Sequence, residues 1–510
     1  MQPSAGLHIA AQIDSTQHDV SLYHEMWHGT MDTALLGRYN LVFLTGLQKD
    51  FDRMRQLSYF FRRQGAITIA GGSICTLFPE FSSDFFDVVC AGSVDSVRTI
   101  MADYSKGNLQ SIYNHRSTQI TAYRVPYQLL TAAGIIPPLH LIEASRGCNF
   151  KCDFCIIPAE KAAHSVYGVE HVMECIHASI AASPRFSFKR LYPSIWFIDN
   201  NFANNLPYTR ELCAALKKDP KVKVWGALVT QDVIGNQKIL ELMAKSKCRV
   251  LFTGLESLDT EFLISHKKFQ NLKKSDSFAE NVRYAQTLGI IVNYGYLFDP
   301  RISTIEDMKR QMHAITLQGL AFPNFFSYVS PLLGTPLFWS VADEGGLRKN
   351  LGVRDLEGES IAYNDCLSSD EELIEFSDIL YNNTDKLLDK VAFYKTFFKG
   401  LFNLNPRYPI LWYLHYENSH RVKKMYKKRS KTIVRNYIGG KDYMESLYEC
   451  YPPDISEQDR RRYFDPIKVT DEDGKLMPWL AAYRPGVEEK RMPMSYAIAA
   501  SDAIAATTVN

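Results

Sequence analysis

The chain has 510 residues, 46% of them hydrophobic and 22% charged, with 58 Lys and Arg against 56 Asp and Glu. At ~150 residues per domain the length suggests about three domains of ordinary globular composition, and the balanced charge gives no general argument for nucleic acid or an anionic membrane as a partner. The N-terminus MQPSAGLHIAAQIDSTQ lacks a basic stretch followed by an apolar core, and no run approaches the ~20 apolar residues that span a bilayer, so a cytoplasmic location is expected.

Residues 1–125 read as alternating strands and helices. Short apolar runs at 8–13, 40–47, 66–72 and 87–93 have the composition of strands buried on both faces. Between them, 51–65 repeats apolar residues at helical spacing and ends on Gly65, which predicts a helix. Strand–helix–strand order implies right-handed parallel crossovers and a doubly wound Rossmann-like sheet. Ligands of such sheets lie at the carboxyl ends of the strands. That rule gathers Thr45-Gly46, Gly71-Gly72-Ser73 and Ala91-Gly92-Ser93 on one rim. A connector with Tyr123, Pro126, Tyr127, Pro137 and Pro138 follows over about 107–138.

Alternation resumes over 139–345. Strands are predicted at 139–145, 195–200, 222–229, 249–257, 290–298 and 325–330, with helices in the gaps. Six βα units in succession suggest a parallel sheet curled into a partial (β/α)6 TIM-like barrel, with its chemistry at the C-terminal strand ends. Residues 346–490 lose the strand pattern and read as a mainly helical region, through 370–402 and the locally basic 420–437. The basic run reads as a solvated helix face. Tyr394, Phe397, Phe398, Trp412 and Tyr413 read as helix packing, with an apolar substrate cavity as the sharper alternative. The Ala-rich tail 491–510 is expected to be poorly ordered.

Ten cysteines are too sparse for a disulfide scaffold. Seven are scattered, most of them among apolar neighbours, and read as small buried hydrophobes. The other three, Cys148, Cys152 and Cys155, stand in EASRGCNFKCDFC (143–155), spaced Cys-x3-Cys-x2-Cys directly after a predicted strand. Soft thiolates select zinc or iron–sulfur. Structural zinc normally takes four ligands as two pairs, and no second pair lies nearby. Zinc completed by a distant histidine, with His164 the nearest downstream, is the alternative. Three thiolates on a four-iron cluster would leave one iron open for chemistry.

With an aromatic at Phe154 just before the last cysteine, this motif after the first strand of a βα barrel resembles the radical S-adenosylmethionine superfamily. The resemblance implies a 4Fe–4S cluster on the three cysteines. Its free iron would chelate S-adenosylmethionine, and one electron would cleave the sulfonium to a 5′-deoxyadenosyl radical. Later strand ends fit the same family. Asp199-Asn200-Asn201 would bind the methionine amino group, although Asx turns and N-caps use the same residues. Thr230 and Gln231 would reach ribose or carboxylate, Glu256 of GLES the ligand or a neighbour, and Tyr296 of NYGYLFD would mark the strand beside adenine. SPLLGTPLF (330–338) resembles the family's close of the sixth strand.

The N-terminal segment resembles the cobalamin-binding domain that precedes the barrel in one branch of the superfamily. GGSICTLFPE matches its Gly-Gly-x-x-x-Thr-x-x-Pro-Glu run, which places Thr45, Gly71, Gly72, Ser73 and Gly92 on the macrocycle's rim. The Asp-x-His-x-x-Gly signature of a lower axial histidine is absent, and Ser93, Val94 and Asp95 replace the usual acidic run. The resemblance implies a cobalamin-dependent methyltransferase acting at an unactivated carbon of a small-molecule or lipid-like substrate. Its expected partner is an external one-electron reductant such as flavodoxin or ferredoxin. A radical cyclisation or rearrangement without methyl transfer, and a zinc-stabilised binding module, are the rival readings. No catalytic acid or base is identifiable.

Overall fold

The computed structural model describes residues 4–32, 37, 39–115, 120–272, 278–321, 323–357, 360–382 and 451–485, with isolated positions of 391–402. The apolar run at 8–13 departs from expectation. It belongs to a helix, Ser4–Ala10, and the turn after it. Leu7 and Ala10 bury one face of that helix at i, i+3 spacing, and two alanines in the run favour helix over strand. His8 Nδ1 lies 2.8 Å from the Tyr123 hydroxyl, which pins the helix to the segment entering the barrel.

The first sheet follows the predicted runs as β1 (Leu41–Gly46), β2 (Ile67–Gly72) and β3 (Val88–Gly92), and adds β4 (Ile112–His115) inside the stretch read as connector. All four are parallel and ordered β1-β2-β3-β4. Alternate residues point to opposite faces. Leu44, Ala70 and Val89 pack with Phe51, Met54 and Leu57 of the helix Phe51–Arg63. Ile69, Val88 and Cys90 pack with Ile100 of the helix Ser96–Ser105. Helices therefore cover both faces, as the Rossmann-like reading requires. Gly65 sits at φ 85° just past the helix Phe51–Arg63, a conformation only glycine adopts cheaply.

The second sheet begins with β5 (His140–Ile142). A short antiparallel ribbon follows, β6 (Ser145–Arg146) with β7 (Ser165–Val166). Then come β8 (Ser194–Phe197), β9 (Val224–Val229), β10 (Cys248–Glu256), β11 (Ile291–Phe298) and β12 (Phe325–Tyr328). The order β12-β11-β10-β9-β8-β5 is sequential and wholly parallel, which makes an open six-stranded half-barrel.

Beyond the barrel the described residues hold helices Asp370–Asn382, Glu457–Tyr463 and Pro478–Ala481. The described residues of this region also hold antiparallel bridges Leu347↔Tyr363, Gly352↔Lys468 and Thr470↔Leu476. Residues 451–485 return to the first domain. The Trp479 ring stacks on Phe81 with centroids 3.9 Å apart. Arg55, fully buried, donates to Asp52 (2.6 Å) and to the carbonyl of Asp465 (2.7 Å). The predicted helix at 420–437, the aromatics Phe397, Trp412 and Tyr413, and the tail lie outside the described residues, while Tyr394 and Phe398 are half exposed. Among the described residues no helix is long and apolar enough to cross a membrane.

Candidate active site at the barrel mouth

The three cysteines occupy one loop between β5 and β7. Gly147 opens it at φ 77°, and a Cβ there would lie 2.5 Å from the Ala163 carbonyl oxygen, so backbone of the loop's two arms meets closely. The β6–β7 ribbon closes the arms. Within it the Cys155 N–H donates to the Cys152 carbonyl at 3.2 Å. Cys152 is buried, and Cys148 and Cys155 are half-buried. Burial pushes the Cys155 thiol up to about 11 and raises Cys148 as well, so these two thiols are protonated at neutral pH and metal binding would have to expel their protons. Among the described residues no three Cys, His, Asp or Glu side chains converge on one point as ligands of a single ion do. A polynuclear cluster needs no such convergence, because each thiolate binds its own iron.

The end of β8 builds the loop rather than standing free. Both carboxylate oxygens of Asp199 are engaged, one accepting from the Ala144 N–H at 2.8 Å and one from the Ser145 hydroxyl at 2.7 Å. Burial raises Asp199 to about 7, against the pull of those hydrogen bonds. Asn200 Oδ1 accepts from the Gly147 N–H at 3.1 Å. Asn201 is the member with spare capacity, since its Oδ1 is buried with no partner. At the end of β9, Thr230 Oγ1 and both amide atoms of Gln231 are likewise buried and unpartnered. Unmet polar atoms at adjacent strand ends are the donor and acceptor set a polar ligand would satisfy.

Glu256 ends β10 at φ 63°, beside a register shift between Gly254 and Glu256. Its carboxylate accepts from Lys268 Nζ at 2.6 Å, in a pair almost closed to solvent. Burial opposes the Lys268 charge, yet Glu256 and the thiols Cys152 and Cys155 together raise its pKa. The same ammonium lies 5.8 Å from the Phe154 ring centroid. Tyr296 lies near the end of β11. It shares a face of β11 with Tyr294 and Phe298 in the helix-packed core, and its hydroxyl meets the Leu258 N–H (3.2 Å) and Gln311 Oε1 (3.1 Å). Only its backbone is left for a ligand in the barrel.

Sequence reasoning missed the charged chain under the loop. His266 Nδ1 lies 3.2 Å from Asp153 Oδ1 and Nε2 lies 3.0 Å from Asp299 Oδ2, and Asp299 also accepts from Arg301 at 2.7 Å. Asp153 belongs to the cysteine loop, so this chain ties the loop to the end of β11. The only local signal was a histidine and two lysines after GLES. Their destination depends on the helix Thr260–Ser265, which folds them back toward the thiols.

The rim of the first domain faces this mouth. Thr45 and Gly92 are exposed at the ends of β1 and β3. Gly72, at φ 118°, has its Cβ direction blocked 2.8 Å away by the Gly46 carbonyl oxygen. Ser73 is close enough to Glu160, just past the cysteines, to offset part of the rise that burial gives its pKa. Gln48 holds Leu333 through two bonds, donating to its carbonyl (3.0 Å) and accepting from its N–H (3.1 Å). The first domain thus touches the barrel beside the ends of its strands.

No family model matches the chain. Bacteriochlorophyllide d C-8(2)-methyltransferase of Chlorobaculum tepidum is 20% identical over 351 residues, 66% of this chain and 76% of that protein. Hopanoid C-2 methylase of Rhodopseudomonas palustris is 24% identical over 294 residues, 54% of this chain and 52% of that one. Among solved structures, TsrM of Kitasatospora setae, a radical S-adenosylmethionine methyltransferase with cobalamin and a [4Fe-4S] cluster bound, superposes with TM-score 0.53 at 14% identity, covering 69% of this chain and 75% of TsrM. OxsB, a cobalamin-dependent S-adenosylmethionine radical enzyme, superposes with TM-score 0.53 at 15% identity, covering 91% and 72%. The chain thus carries the fold of the cobalamin-dependent radical S-adenosylmethionine enzymes, a Rossmann-like domain set against an open βα barrel.

Proposed function

We propose that the chain is a cobalamin-dependent radical S-adenosylmethionine methyltransferase acting at an unactivated carbon of a small, apolar or lipid-like substrate. The observation that carries the reading is the loop of three cysteines after the first barrel strand, in a barrel that the first domain contacts through Gln48 and Leu333. Cys148, Cys152 and Cys155 would hold the cluster. When bound, it supplies one low-potential electron for cleaving the sulfonium.

The chain's own residues would do the positioning. Asn201 offers an acceptor for the methionine ammonium, while Thr230 and Gln231 offer donors and acceptors to ribose and carboxylate. Asp199 and Asn200 hold the loop's backbone, and Lys268 places a positive charge beside the thiols. Thr45, Gly71, Gly72, Ser73 and Gly92 form the backbone-rich rim for a flat macrocycle, with no axial histidine signature in the sequence. The relatives act on bacteriochlorophyllide and hopanoid, both largely apolar, which supports that substrate class. An external one-electron donor such as flavodoxin or ferredoxin would complete the cycle.

Anaerobic incubation with S-adenosylmethionine and reductant is the test. Both 5′-deoxyadenosine and S-adenosylhomocysteine are expected, with about four irons per chain and bound cobalamin. A preparation that carries the cluster but takes up no cobalamin under any reconstitution sinks the methyltransferase reading. 5′-Deoxyadenosine without S-adenosylhomocysteine, and no CH2 gain in product mass, points to rearrangement instead.

A further inference from the structure

At the other end of the barrel from the cysteines, the link between the helix Val169–Ala182 and β8 exposes three large apolar side chains. Phe186, Phe188 and Leu191 are 86, 71 and 66% exposed. One exposed apolar residue means little, but three within six residues form a patch. Phe188 and Leu191 lie at i and i+3 on a single helical turn, Phe188–Leu191, so they share a side. The knuckle is held in shape. Ser187 caps the turn, Arg190 donates to the carbonyls of Ala181 (3.2 Å) and Ser183 (3.1 Å), and the Phe188 ring stacks on Tyr192.

The turn entering β9 lies alongside, since the Lys223 N–H donates to the Pro193 carbonyl at 3.4 Å. That turn exposes Lys221 and Lys223, and the end of the helix Leu206–Lys218 that leads into it exposes Lys217 and Lys218. With Arg185 and Arg190 that makes six exposed cations beside the apolar tip. Segments 184–193 and 216–223 contain one carboxylate, Asp219, and it is engaged by His177 Nε2 and the Lys221 N–H. The near-neutral total of the chain conceals this local excess.

We propose that this end of the barrel docks on an anionic lipid bilayer. Phe186, Phe188 and Leu191 enter the boundary between headgroups and acyl chains, and the ring of lysines and arginines meets the lipid phosphates. Single-stranded nucleic acid also takes cations with aromatics. A bilayer is the better match, because it accepts the aliphatic Leu191 together with both rings. The cysteine loop, at the opposite strand ends, stays clear of the surface. Nothing in the docking depends on the cluster or on cobalamin.

Sedimentation of the full chain with vesicles tests the assignment, using phosphatidylcholine alone or mixed with phosphatidylglycerol. Binding is expected only to the mixed vesicles, and weakens as salt is raised. Replacing Phe186, Phe188 and Leu191 together by Ser should weaken it about tenfold or more. Lys217→Glu with Lys218→Glu and Lys221→Glu should do the same through charge alone, which guards against a folding defect in the first variant. Unchanged iron content and unfolding temperature confirm that both variants are intact. Equal binding to both vesicle types, binding undiminished in the intact variants, or binding to single-stranded RNA with none to vesicles overturns the proposal.

Discussion

Lys268 Nζ stands 2.6 Å from Glu256 Oε1, with both side chains about nine-tenths shielded from water. A buried charge left without its partner costs about 3–5 kcal/mol, although the pair as a whole contributes far less. Lys268→Met should therefore destabilise the chain by about that amount in denaturant unfolding, and Lys268→Met with Glu256→Gln should recover much of the loss. If the ammonium also serves the ligand, the double variant will still bind S-adenosylmethionine poorly. Recovery of stability together with full ligand affinity would leave Lys268 a purely structural residue.

Cys148, Cys152 and Cys155 make separate demands. Alanine at any one should lower iron from about four per chain toward zero and abolish the visible absorbance of the cluster. Scattered thiols such as Cys213 and Cys248 are fully buried in the core, so Cys213→Ala should keep its iron and lose only packing energy. Iron retained by Cys152→Ala at parental levels would break the assignment of the loop.

The chain Arg301–Asp299–His266–Asp153 should leave a mark on stability against pH. Burial works against charge on His266, but the hydrogen bonds to Asp153 and Asp299 prevail and raise its pKa above 6.5. That stabilisation is complete below about 6.5 and is lost as pH rises through the folded value. Asp299 is held down to about 2 by His266 and Arg301 against its burial. Its contribution is complete above the unfolded value near 3.8 and is lost as pH falls toward 2. The network is therefore fullest between about pH 4 and 6.5. His266→Phe should flatten the alkaline side of that profile in urea unfolding. A mutant profile parallel to the parent's across this range would remove His266 as its cause.

Much of this arrangement was legible in the chain. The six barrel strands announce themselves because strands buried on both faces are continuous apolar runs, and the cysteines follow the first of them. The helix Ser4–Ala10 was misread because an apolar run of six residues carries no period long enough to separate helix from strand. The strand Ile112–His115 is too short and polar to stand out. His266 and Lys268 reach the cysteine loop only through tertiary folding, from more than 110 residues away in sequence.

Two glycines separate the two halves of the site. Gly147 and Gly72 both have positive φ, 77° and 118°, and backbone oxygens 2.5 and 2.8 Å from where a Cβ would sit. A side chain at such a φ costs roughly 1–2 kcal/mol before any clash is counted, and neither oxygen sits on a flexible group. Gly147→Ala should distort the arm that carries Cys148, so iron content falls while the first domain remains folded. Gly72→Ala should push β1 and β2 apart at the rim, so cobalamin affinity falls while iron and its absorbance persist. Measuring iron and cobalamin on both variants gives a crossed pattern. Loss of both cofactors in each variant would instead mean that the rim and the loop fold as one unit, which the Gln48–Leu333 and Ser73–Glu160 contacts would then explain.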